Sequence, residues 1–161
     1  MTTTGSDDAH RVVYAEDLVL GTPYITGKYR LERDDVISFA RAWDPQAFHV
    51  DEAVAATHGF GGLIASGLQT ACIFQRLAVT GVYSNWAIIA GRAIREMSFP
   101  RPVRPGSTLK GSVTITDVVA RDEQRSLVHK HGELWDQDGA RVFSMRAEAY
   151  MRRRPLPLEG A

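Results

Sequence analysis

Cysteine is nearly absent from this sequence. Of 161 residues only Cys72 carries a thiol, so no disulfide can form within the chain. A chain of this length buries roughly two thirds of its unfolded surface and needs no covalent staple. An excess of charge of either sign is missing too: 19 Lys and Arg balance 19 Asp and Glu, for a formal net charge of 0 at pH 7. That balance removes the electrostatic reason to expect nucleic acid or an anionic membrane as a partner. No apolar run approaches the length of a membrane span, and none is expected. The opening residues, Met1 to Asp8, have neither a basic nor an apolar leader region, so no secretory signal is expected and the expected compartment is the cytoplasm. Metal-ligand spacings are lacking as well. A metal site would have to recruit Asp51 or His58, and none is expected. The run Gly59-Phe60-Gly61-Gly62 has no lysine and no strand before it, which argues against a phosphate loop. Ser66 lies outside a G-x-S-x-G elbow, which argues against a serine nucleophile.

What is present reads as one ordinary globular domain, with 44% hydrophobic and 24% charged residues. The expected boundaries are a flexible tail over 1–11, a domain over 12–154 and a second tail over 155–161. Alternation predicts a first strand from Tyr24 to Leu31. A helix over Arg33 to Trp43 follows, with Val36, Ile37, Phe39, Ala40 and Trp43 near the 3.6-residue spacing. Asp51 is a plausible N-cap for a short helix through Ala53 to Ala56, closed by Gly59. Ser66-Gly67 opens the next helix, Leu68 to Val79. Its only polar members are Gln69, Thr70, Gln75 and Arg76, so protein is expected on most sides of it, and Cys72 reads as a small core residue.

The second half of the chain changes period. Trp86 to Met97, Thr108 to Ala120, Leu127 to Trp135 and Arg141 to Met151 are strand-like. In the last, Phe143, Met145, Ala147, Ala149 and Met151 share one face, with Ser144, Arg146 and Glu148 on the other. Asp138-Gly139 signals a two-residue hairpin. Strand, helices and then a run of antiparallel strands make an α+β fold with the helices on one face of the sheet.

Chemistry concentrates in Asp44-Pro45-Gln46-Ala47-Phe48-His49. A continuous helix would turn Asp44 and His49 about 140° apart, so a shared site needs irregular backbone between them. Pro45 supplies it, because the residue before a proline is pushed out of the helical region. The pair also suits a plainer reading, with Asp44 capping a turn and His49 bonded to backbone. Ser66-Gly67 likewise reads in two ways. It is either an oxyanion site made from free helix N–H groups or an N-cap followed by a packing glycine.

Three stretches carry a resemblance: Phe39 to Glu52 (FARAWDPQAFHVDE), Phe60 to Ala71 (FGGLIASGLQTA) and Phe99 to Leu109 (FPRPVRPGSTL). Together they resemble the MaoC-like acyl dehydratases, the (R)-specific enoyl-CoA hydratase family. The resemblance implies a single hotdog domain, an antiparallel sheet wrapped around the long helix, in a homodimer with acyl-CoA tunnels near the interface. It makes Asp44 and His49 the catalytic pair and Gly67 the glycine whose N–H faces the thioester oxygen. Gln46 and Ser66 become site-supporting residues. Gln46 stands where many members have Asn, Ala47 replaces a common proline, Ser66 stands where well-known hydratases have His, and Gln75 falls where one branch has serine. The implied reaction is reversible hydration of a trans-2-enoyl-CoA to an (R)-3-hydroxyacyl-CoA. CoA arrives as part of the substrate, and no cofactor is required. The alternatives are a thioesterase on the same fold and a non-catalytic acyl-CoA binder or structural subunit.

Overall fold

The computed structural model describes residues 11–155. Most of both expected tails therefore lies outside the described residues. Arg11, within the expected N-terminal tail, is tied down: its carbonyl accepts from Asn85 Nδ2 at 2.9 Å.

The elements follow in order as β1 (Pro23–Arg30), α1 (Arg33–Trp43), α2 (Ala47–Val50), α3 (Glu52–Thr57), α4 (Gly67–Gly81), β2 (Ile88–Ser98), β3 (Thr108–Ala120), β4 (Arg125–Trp135) and β5 (Arg141–Arg152). The strands form one antiparallel sheet in the order β1-β3-β4-β5-β2. This is the α+β hotdog architecture, with α4 as the central helix. In α1 the acidic first turn, Asp34 and Asp35, suits the positive end of the helix, while Val36, Ile37 and Ala40 are buried. Its apolar stripe stops short of the end, and Trp43 is 73% exposed.

Helix α4 lies across β1, β3 and β4. Its buried face consists of Gln69, Thr70, Ile73, Phe74, Leu77 and Ala78. Phe74 reaches the sheet at Gly132, where a Cβ would overlap its ring. Glycine is required there because the aromatic side chain occupies the space its neighbour leaves. The other side of α4 departs from expectation. Leu68 is 53% and Val79 44% exposed, and Cys72 is exposed rather than a core residue. Leu68, Cys72, Gln75 and Val79 recur every three or four residues, so they share one stripe, and it is the stripe turned away from the sheet. One chain covers this helix on one side only.

On β5 the expected inner face is buried along its whole length, from Phe143 at 0% to Met145 at 8%. Glu148, expected on the opposite face from these residues, is itself only 7% exposed. Arg92 and Arg95 of the neighbouring β2 fold over its carboxylate, Arg95 Nε at 2.7 Å from Oε1. Hydrogen bonds from Arg95 first, then from Arg92, draw its pKa down to about 2. The hairpin between β4 and β5 is one residue longer than Asp138-Gly139 implied. Asp136 N donates to Ala140 O at 3.0 Å, enclosing Gln137, Asp138 and Gly139. Gly139 has φ of 77°, and Asp136 Oδ1 accepts from both Asp138 N and Ala140 N. The glycine thus serves as the left-handed third residue after a turn rather than as the second of a two-residue loop.

Candidate active site

Pro45 ends α1 as the sequence implied. Asp44 takes φ −151° and ψ 70°, outside the helical region, and Gln46 is extended before the single turn of α2 begins at Ala47. The short turn is closed at its start by His49 N donating to Gln46 O at 2.9 Å. This break swings the imidazole back toward the carboxylate. His49 Nε2 lies 3.5 Å from Asp44 Oδ2. Asp51 then caps α3 by accepting from Ala53 N and Val54 N, which holds the far side of the turn.

His49 is 4% exposed. Its Nδ1 is 2.7 Å from the carbonyl oxygen of Ile64. A carbonyl only accepts, so Nδ1 carries the hydrogen, and in the neutral ring Nε2 presents a lone pair toward Asp44. Phe48 lies tilted against the ring at 4.4 Å and is itself stacked on His58 at 4.4 Å, with Phe60 stacked on His58 in turn. His58 and Asp51, the residues a metal site would have needed, therefore serve as a stacking partner and a helix cap.

Asp44 is held from both sides. Ser66 Oγ donates to Oδ2 at 2.6 Å and Gln46 Nε2 donates to Oδ1 at 2.8 Å. The Ser66 bond, then the Gln46 bond, stabilise the anion and hold the Asp44 carboxyl below the usual carboxylate range. Ser66 also accepts from Leu68 N at 3.2 Å, so it caps α4 while anchoring Asp44. Gly67 follows as the first residue of α4, and its N–H has no acceptor within the helix. A Cβ on Gly67 would sit 3.1 to 3.2 Å from ring atoms of Phe99. The packing glycine and the free N–H are thus two properties of one residue.

Asp44, Gln46, His49 and Ser66 meet through these contacts, and Gly67 follows directly after Ser66 at the start of α4. Sequence reasoning did not find the Ile64 carbonyl that orients His49, since a backbone acceptor leaves no side-chain signal. Nor did it assign Phe99 a place against Gly67, because that contact joins segments 32 positions apart.

Chemically, Asp44 Oδ2 and His49 Nε2 face each other as two acceptors 3.5 Å apart, so no hydrogen bond joins them directly. One molecule with two O–H groups, such as water, spans them. The family model described as "MaoC like domain" matches residues 17–134. The MaoC-like dehydratase of Rhodospirillum rubrum is 36% identical, with a TM-score of 0.81 over 89% of this chain and 99% of that one. An Archaeoglobus structure described as a monoamine oxidase regulatory protein is 26% identical, with a TM-score of 0.85 over 91% of this chain and 99% of that one. YdeM of Bacillus subtilis, itself uncharacterized, is 29% identical over 138 residues, 86% of this chain and 98% of its own. Matched along most of its length by the family model, the chain belongs to the MaoC-like dehydratase family.

Proposed function

We propose that the protein adds water reversibly across the double bond of a trans-2-enoyl-CoA, giving an (R)-3-hydroxyacyl-CoA. The observation that carries this reading is the Asp44–His49 pair, two bases 3.5 Å apart beside the start of α4. Hydration needs a hydroxide equivalent at the β-carbon and a proton at the α-carbon. One O–H bond of water and the π bond between the α- and β-carbons break, a C–O bond forms at the β-carbon, and a C–H bond forms at the α-carbon. With the Nδ1 hydrogen committed to Ile64 and Asp44 held anionic by Ser66 and Gln46, the pair has acceptor positions for the water's hydrogens. The proton delivered to the α-carbon is then the one that the pair has just taken from water. Both transfers start from one water on one face of the substrate, so addition is syn. Asp44 and His49 act as a unit, and the proton is not apportioned between them. The Gly67 N–H stabilises the negative charge that develops on the thioester oxygen. No electrons change hands overall, so the chemistry calls for no redox cofactor.

Incubation with crotonyl-CoA tests the reading. Loss of the enoyl absorbance supports it; release of free thiol points instead to a thioesterase, and binding with neither change to a receptor. Asp44→Asn and His49→Ala are each expected to lower turnover by about 10²–10⁴ with the fold intact. The double variant is expected to be barely worse than either single one. A folded Asp44→Asn protein with near wild-type turnover would remove Asp44 from the mechanism.

A further inference from the structure

The reacting nitrogen of His49 is not held by the residue it faces, since Asp44 Oδ2 and Nε2 both accept. A ring tied at Nδ1 alone can still swing Nε2 away from Asp44, so other contacts must fix its orientation. The tie at Nδ1 is itself anchored. Its acceptor, Ile64 O, belongs to the same peptide group as Ala65 N, which donates to Val103 O at 2.8 Å. Both ends of that amide are bonded, and each bond polarises the group in favour of the other. Ile64, Ala65 and Val103 are all buried.

The face of the imidazole is held by a stack of rings. Phe48 lies against His49, His58 on Phe48 at 4.4 Å, and Phe60 on His58 at 5.6 Å. This stack runs outward to solvent and ends on Phe60, which is 44% exposed. Packing alone leaves such an end free to open. Arg104 closes it. Its Nη2 donates to the Phe60 carbonyl oxygen, and its Nη1 lies over Gly62, 3.2 Å from where a Cβ would stand. The residue next to Val103 thus holds the outer end of the stack, and both supports of the imidazole rest on one dipeptide.

We propose that Arg104 is a positioning residue for His49. By holding the Phe60 carbonyl it keeps the Phe60–His58–Phe48 stack against the imidazole, while Val103 fixes the peptide group that binds Nδ1. The role rests on the hydratase reading where turnover measures it, but the orientation of the ring is a property of the protein alone and is measured without substrate.

Arg104→Ala, His58→Ala and the two combined test it in the full chain. Two quantities are read per folded molecule: kcat and KM for crotonyl-CoA, and solvent exchange of the His49 imidazole N–H by proton NMR, the signal being identified by its loss in His49→Ala. Arg104→Ala is expected to lower kcat by about tenfold to a hundredfold with KM unchanged, the effect of a misplaced reacting group. Exchange of the imidazole N–H is expected to speed up at least about tenfold, the worth of one charged hydrogen bond. Because both residues act through one stack, the double variant is expected to be no worse than the more damaged single one. His58→Phe, which keeps a ring in the stack, is expected to restore most of what His58→Ala loses. A raised KM with kcat and exchange unchanged overturns the proposal and makes Arg104 a contact for a substrate phosphate. Additive losses overturn it too, as does a lowered melting temperature with exchange unchanged. If the parent protein leaves crotonyl-CoA unaltered, the hydratase reading fails by itself, and the exchange rates of the same variants still decide whether Arg104 positions the ring.

Discussion

Ser66 does two jobs through one oxygen, and they predict different consequences when it is removed. As a donor to Asp44 Oδ2 it stabilises the anion; as an acceptor from Leu68 N it caps α4. Without the donor, the Asp44 pKa rises toward its ordinary value. The acid limb of kcat/KM for Ser66→Ala is therefore expected to move to higher pH, with Gln46→Ala moving it in the same direction by less. A Ser66→Ala variant whose turnover falls equally at all pH values, with the limb unmoved, would show that the cap alone matters. Lys130 makes the opposite kind of residue-scale prediction, one of stability. Burial draws its folded pKa down to about 8 against an ordinary 10.5. Below pH 8 both folded and unfolded chains carry the proton, and the folded state bears the whole cost of burying it. Between about 8 and 10.5 the unfolded chain binds the proton and the folded one does not, so stability climbs with pH. Lys130→Met is thus expected to be the more stable protein at pH 7, by a margin that shrinks across that window. Denaturant midpoints over a pH series read this directly, and a constant margin would mean that Lys130 is solvated.

At the scale of elements, the start of α4 is where site and fold depend on each other. Gly67→Ala would put a methyl 3.1 Å from the Phe99 ring, so some loss of melting temperature is expected on packing grounds alone. If the Gly67 N–H also holds the thioester oxygen, kcat is expected to fall by up to about 10²–10³ per folded molecule. Melting temperature and kcat measured on one preparation separate the two; a lowered melting point with normal kcat would leave Gly67 a packing residue. Most of this element's environment was legible in the sequence. Pro45 announced the break before the imidazole, Ser66 announced the cap, and the inner face of β5 followed from alternation. What was not legible shares a cause. Cys72, the buried Glu148 and the contact of Phe99 with Gly67 all depend on which neighbour lies across space. A helix rich in apolar residues does not say which side the sheet will take, and a carboxylate on the other face of the strand does not say that two arginines of the next strand will cover it. The hairpin missed by one residue because Asp-Gly fits the end of a three-residue loop as well as a two-residue one.

At the scale of the molecule, two surfaces on one chain lack a covering. Leu68, Cys72, Gln75 and Val79 form an exposed stripe on α4, and β2 is a terminal strand of the sheet with Ile89 and Ile94 about half exposed. An open edge strand of 11 residues beside an apolar helical stripe is a liability in a single chain. Pairing of two copies about a two-fold axis would cover both at once, since such an interface sets the same surface against itself. The expected outcome is a light-scattering mass of two chains at micromolar concentration. Leu68→Glu with Val79→Glu is expected to shift that mass to one chain, because two pairs of like charges would meet across the axis while the sheet-facing side of α4 is untouched. The far-ultraviolet circular dichroism of the variant checks that it is still folded. If the folded double variant keeps the mass of two chains, the stripe is not the interface; if the parent has the mass of one chain, the two surfaces are uncovered in solution and a tunnel shared between copies is excluded.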